Sequence, residues 1–169
     1  MAQKDTHSLN AGTAAKVCEI LADRLVALLD MHLTLKHVHW NVVGPNFIAV
    51  HQMLDPQVDE VRAMSDVLAE RIAALGGEPL GTPAAIVSGR RWDDYKINRA
   101  NTQTHLAELD RVYAGIVEDN RRAIADLEEH DLISQDVLVQ QTERLELFHW
   151  FVRAHLEGND DNPPGDGGR

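Results

Sequence analysis

The stretch HVHWNVVGPNFIAVHQMLDPQVDEVRAMSDVLAERIAALGG, residues 37–77, carries the apolar spacing of a packed helix but sets His51, Asp55, Asp66 and Glu70 on it as well. At about 100° per residue these four side chains point near 0°, 40°, 60° and 100°, so they form a single polar stripe. Each i,i+4 pair can present two ligands to one ion. Eleven residues separate Asp55 from Asp66, which is roughly 16 Å of helix against the ~2 Å of a metal–ligand bond. One straight helix cannot gather all four. Two copies packed antiparallel can, with His51 and Asp55 of one chain facing Asp66 and Glu70 of the other, and a two-fold axis then makes two equivalent sites.

The rest of the sequence supports one helical domain. A chain of 169 residues with 44% apolar character is long enough to bury a substantial core. No run of eighteen apolar residues is present, MAQKDTHSLNAG has no apolar signal segment, and Cys18 is the only cysteine. Neither a membrane span, secretion nor a disulfide framework is suggested, so a cytoplasmic protein is expected. With 27 acids against 16 bases the net charge is −11, which suits attraction of cations and argues against a surface built to neutralise phosphates.

Apolar positions at Cys18, Leu21, Leu25, Leu28 and Leu35 predict a first helix over about 13–41, with His32 and His39 on the same seam. Gly44 and Pro45 break it, and Asn46 is placed to cap a second helix that runs to Gly76 and Gly77. The stretch GGEPLGTPAAIVSGRRWDDY reads as a long crossover in which Thr82 and Pro83 start one short helix. A third long helix is predicted over roughly 98–129, then a turn, then a fourth from about 135 to Glu157 with Ser134 as its cap. No strand pattern competes. The expected fold is therefore all-α, a four-helix bundle with a long crossover carrying a short extra helix between helices 2 and 3. Residues 1–12 are expected to be a flexible arm, 13–157 the bundle, and 158–169 a disordered acidic tail rich in Gly and Pro.

His39 can join His51 and Asp55 across the NVVGPN turn, and Pro56 removes a helical N–H beside Asp55. Imidazole mixed with carboxylate suits iron, manganese or zinc better than calcium or copper(I). Spacing alone leaves His32 and His37 equal to His39, and by itself it favours a solvated face or a buried salt-bridge network at a dimer seam, countered by Arg62 and Arg71, over a metal site.

KHVHWNVVGPNFIAVHQMLD and DVLAERIAALGG resemble the signature of the Dps family, the ferritin-like mini-shells named DNA-binding proteins from starved cells. GTPAAI, WDDY and FHWFVRAHLE extend the likeness through most of the chain. The resemblance implies a ferritin-like fold and a ferroxidase site between two subunits, with His39, His51, Asp55, Asp66 and Glu70 as metal ligands that act through the metal. It implies a homododecamer that oxidises Fe(II), preferably with hydrogen peroxide, stores ferric oxide in its cavity and protects DNA from oxidative damage.

Trp40 beside His39 is a candidate relay for oxidising equivalents, although packing is the commoner use of such a residue. Asp126, Asp131 and Asp136 are candidates for a cation pore at a three-fold axis. Glu146 and His149 make one E-x-x-H, half of the paired pattern of an intra-bundle di-iron site; without a second copy they read as structural, with Glu146 expected on a base such as Arg71. Cys18 reads as a small core residue. Direct DNA binding is doubtful: the N-terminal stretch sets Lys4 beside Asp5, and Glu157, Asp160, Asp161 and Asp166 face Arg169 alone in the tail. Association with the nucleoid is expected only if DNA is bound. The alternatives are a metal-dependent hydrolase on the same scaffold and a DNA-condensing structural protein.

Overall fold

The computed structural model describes residues 9–157. Helix α1 covers Ala11–Asn41, α2 Phe47–Ala74, the short α3 Pro83–Gly89, α4 Thr102–Leu127 and α5 Leu132–Glu157. The pairs α1–α2 and α4–α5 are tight antiparallel hairpins, and the crossover between them carries α3. This is the four-helix bundle with one crossover expected from the spacing, in the ferritin-like arrangement that the resemblance implies.

Asn10 starts α1, its side chain accepting from the Thr13 amide at 2.9 Å. The helix thus begins inside the segment expected as an arm; residues 1–8 and the tail 158–169 lie outside the described residues. Val17, Leu21, Leu28, Met31, Leu35 and Val38 form its buried seam. Cys18 falls one position off it, half-buried, with its Sγ toward the Ile72 carbonyl. Fully burying each such aliphatic side chain contributes about 1.5–3 kcal/mol against the entropy of ordering the chain. The facing seam of α2 is Val50, Leu54, Val58, Val61, Leu68 and Ile72, and Pro56 sits on the exposed side, where the helix passes through it unbroken.

The end of α2 is a Schellman turn: Gly76 at φ +84 donates to the Ala73 carbonyl, and Gly77 donates to that of Ile72. A Cβ on Gly77 would meet Cys18 Sγ at 2.8 Å, so glycine allows the chain to leave α2 against α1. Thr82 caps α3 as expected, accepting from the Ala85 amide. Asp30 on α1 then ties down the crossover, accepting from Arg90 at 3.2 Å and from the Trp92 indole at 2.7 Å.

Two local expectations change. Val42–Val43 (β1) pairs in parallel with Ala100–Asn101 (β2), a two-residue ladder too short for any alternating pattern to announce it. The cap of α5 is Asp131, not Ser134: the Ser134 amide donates to Asp131 at 3.1 Å, and the Arg71 guanidinium reaches the same carboxylate at 2.7 Å from α2. Burial pushes the Asp131 carboxyl up, but hydrogen bonds from Ser134 and Arg71 outweigh it and hold the group below the usual range. Its stabilisation is therefore present above the ordinary carboxylate value of about 3.9 and is lost as pH falls through the depressed one. Asp131→Asn should cost about 1–2 kcal/mol at neutral pH, with the deficit shrinking in acid. Thermal melts at pH 7 and pH 3 check this; a deficit that does not change with pH would contradict it.

Candidate metal centre

His39 lies in the last turn of α1, where backbone carbonyls have no helical partner, and His51 lies in the second turn of α2. The linking turn depends on Gly44 at φ +106, a conformation costly for other residues, and closes with the Phe47 amide donating to the Gly44 carbonyl at 3.1 Å. This turn sets the two imidazoles face to face, centroids 3.7 Å apart. His39 Nδ1 lies 3.0 Å from the His51 carbonyl, and His51 Nδ1 lies 2.9 Å from that of His39. Because a carbonyl can only accept, each Nδ1 must carry the proton, and each Nε2 is left with its lone pair for a ligand.

Asp55 sits one helical turn beyond His51, its Oδ1 3.3 Å from His39 Nδ1. Potential ligand atoms of His39, His51 and Asp55 all lie within 4.8 Å of one another. The hydrogen bond from Lys36, 3.1 Å from Oδ1, is the main reason the Asp55 carboxyl is held below its ordinary value; burial opposes this and the nearby imidazoles add to it. Asp55 is half exposed and His39 nearly buried, so the cluster opens to the surface through its acid.

Asp66 and Glu70 do not join the cluster. Both are exposed farther along α2, and Asp66 lines a groove of about 650 Å³ between α1 and α2 with His32, Asp59 and Arg62. One chain therefore brings together three of the five expected ligands. His37 is turned to the crossover, its Nε2 2.8 Å from the Ile97 carbonyl. His32 stands in the groove, where burial and then Arg62 push its pKa down. Of the three histidines that spacing left equal, His39 alone reaches the cluster.

Trp40 is 70% exposed, so the packing role that favours most aromatics is not filled within its own chain. Glu146 pairs with Arg121 at 2.7 Å and not with Arg71, which Asp131 and Ser134 occupy. His149 pairs with Asp110 at 2.7 Å, so the E-x-x-H residues go to different partners. The three pore acids have different surroundings: Asp126 and Asp136 are exposed, whereas the buried Asp131 carboxylate is committed to the α5 cap and Arg71. Lys36 stands three residues before His39 on one helix face and carries no metal-ligand signature in the sequence.

The ferritin-like domain family matches residues 18–159. Over 144 residues the chain is 58% identical to the DNA protection during starvation protein of Mycolicibacterium smegmatis, covering 85% of this chain and 79% of that one. The chain belongs to the Dps family. The solved structure of Mycobacterium smegmatis Dps superposes with a TM-score of 0.90 at 54% identity, over 93% of this chain and 90% of that one. A Dps from Microbacterium arborescens, solved in a high iron form, gives a TM-score of 0.82 at 29% identity, over 88% and 97% of the two chains.

In this Dps-family chain, His39→Ala and His51→Ala should each weaken Co(II) or Zn(II) binding by at least about tenfold, because each removes one of the two free imidazole nitrogens. Titration calorimetry on assembled protein checks this. Unchanged affinity in both variants would show that the cluster is not a metal site.

Proposed function

We propose that this protein is an iron-storage ferroxidase that oxidises Fe(II), preferably with hydrogen peroxide, and protects DNA by consuming both reagents. The observation that carries the reading is the cluster of His39, His51 and Asp55, with two imidazole nitrogens left free and one carboxylate, in a chain whose Asp66 and Glu70 stand apart. Three ligands form an incomplete site. Asp66 and Glu70 of the partner subunit complete it in a two-fold dimer, and six such dimers form a twelve-subunit shell that holds the ferric product. The high iron form of a relative supports iron as the metal.

Fe(II) is the substrate. His39 and His51 bind it through Nε2 and fix its position, and Asp55 with the partner's acids supplies negative charge that favours the higher oxidation state. Two Fe(II) ions each give one electron to hydrogen peroxide, whose O–O bond breaks to leave two hydroxide ions. Hydrolysis of the Fe(III) then deposits ferric oxide and releases protons. Trp40, exposed next to His39, is the accessory residue that relays or traps an oxidising equivalent in this reading. Asp126 and Asp136 remain as the entry-pore acids. No helix among the described residues is long and apolar enough to cross a membrane. A role in shielding DNA from iron and peroxide would be carried out in the cytoplasm.

The intersubunit site makes a specific prediction. A variant lacking His51 and Asp55, and another lacking Asp66 and Glu70, should each lose fast Fe(II) oxidation while still assembling. Mixed after dissociation and reassembly, they should regain part of the rate, because some dimers then contain one intact site. Stopped-flow absorbance of ferric product checks this; no recovery in verified mixed shells would place the site within one chain.

A net charge of −11 per chain also predicts chemical protection without coating. With chelator present, iron-free shells should leave plasmid mobility unchanged at moderate salt and pH 7. The same protein, without chelator, should suppress plasmid nicking by Fe(II) and peroxide. Retarded plasmid would mean that a basic surface patch outweighs the net charge, and nicking at the unprotected rate would remove the protective role.

A further inference from the structure

Lys36 on α1 places its Nζ 3.1 Å from Asp55 Oδ1, the oxygen that also lies 3.3 Å from His39 Nδ1. Among the described residues, Lys36 is the one Lys or Arg ion-paired with any of the three clustered ligands. The acid of the half-site thus already carries a protein cation. A metal ion held by Oδ1 at the usual ~2.1 Å would lie within about 5 Å of that ammonium, since the two distances cannot add to more. A doubly charged ion there feels a repulsion which, even at the screening of water, weakens binding roughly tenfold. Lys36 is about one-third exposed, at 31%, and its four-carbon stem lets the ammonium swing into water.

We propose that Lys36 is a positioning residue that competes with the metal for Asp55, holding the site's affinity low so that iron passes through it and is not retained. This rests on the ferroxidase reading above and adds its regulation. At rest the ammonium fixes the Asp55 carboxylate beside the two imidazoles. An arriving Fe(II) displaces it. Once Fe(III) has formed, the return of Lys36 to Asp55 opposes the larger charge and favours transfer of the product to the ferric store. A site of the same ligands without this cation would bind more tightly and turn over more slowly.

The test compares native protein, Lys36→Met and Lys36→Arg as assembled shells, titrated anaerobically with Co(II) and followed by calorimetry and by the visible absorption of the bound ion. Lys36→Met should bind Co(II) about tenfold more tightly, and Lys36→Arg should behave as the native protein. With Fe(II) and peroxide, Lys36→Met should keep a native-like first turnover and slow in later ones. Structural damage would lower affinity, so a rise is specific to removal of the competing charge. Lys36→Gln, a polar substitute for Met, provides the same readout if Lys36→Met fails to assemble. Affinity equal to or weaker than native in an assembled neutral variant overturns the proposal. Native protein that fails to oxidise Fe(II) would overturn the ferroxidase reading instead, and the Co(II) comparison would still decide the role of Lys36.

Discussion

The reciprocal hydrogen bonds between His39 and His51, each ring to the other residue's carbonyl, are the constraint on which the rest of the site depends. They require the last turn of α1 and the second turn of α2 to meet at one register. That register is held from several sides: Leu35 and Val38 of α1 and Val50 and Leu54 of α2 belong to one core, Gly44 lets the chain reverse, and the Val42–Val43 ladder with Ala100–Asn101 ties the turn to the start of α4. The outcome is chemical as well as geometric. A carbonyl on each Nδ1 selects the tautomer whose Nε2 is free, so both imidazoles keep a lone pair available to a ligand.

The four long helices are legible in the apolar spacing because burial of one face every three to four residues is what stabilises them. Their ends are less so. Asp131 and Ser134 are both good capping residues three positions apart; the choice is decided by Arg71 reaching across from α2, a contact no local pattern contains. The α5 partner of Arg71 is likewise Asp131 and not Glu146, since long surface side chains take the nearest opposite charge in space, here Arg121 for Glu146. The β1–β2 ladder rests on two residues from each side and has no periodicity to read.

The candidate site divides in the same way. His51 and Asp55 are legible as an i,i+4 pair, and the distance along one helix already separates them from Asp66 and Glu70. Spacing cannot choose among His32, His37 and His39, because the choice depends on which imidazole faces the returning helix and which faces the crossover; only likeness to the Dps family singles out His39, which lies beside His51 and Asp55. Lys36 is not legible at all: a lysine on a helix surface carries no metal-ligand signature, and only the fold brings Asp55 beside it.

The most direct test of the account is the location of the metal itself. Anomalous scattering from crystals of the assembled protein loaded with Fe(II) or Co(II) identifies the ion and its ligands without reference to activity. The expected result is a peak about 2.0–2.2 Å from the His39, His51 and Asp55 donor atoms of one chain, completed by carboxylate oxygens of Asp66 and Glu70 from a two-fold-related chain. A peak ligated by a single chain, or no peak at the His39–His51–Asp55 cluster in crystals that hold the metal elsewhere, would contradict it.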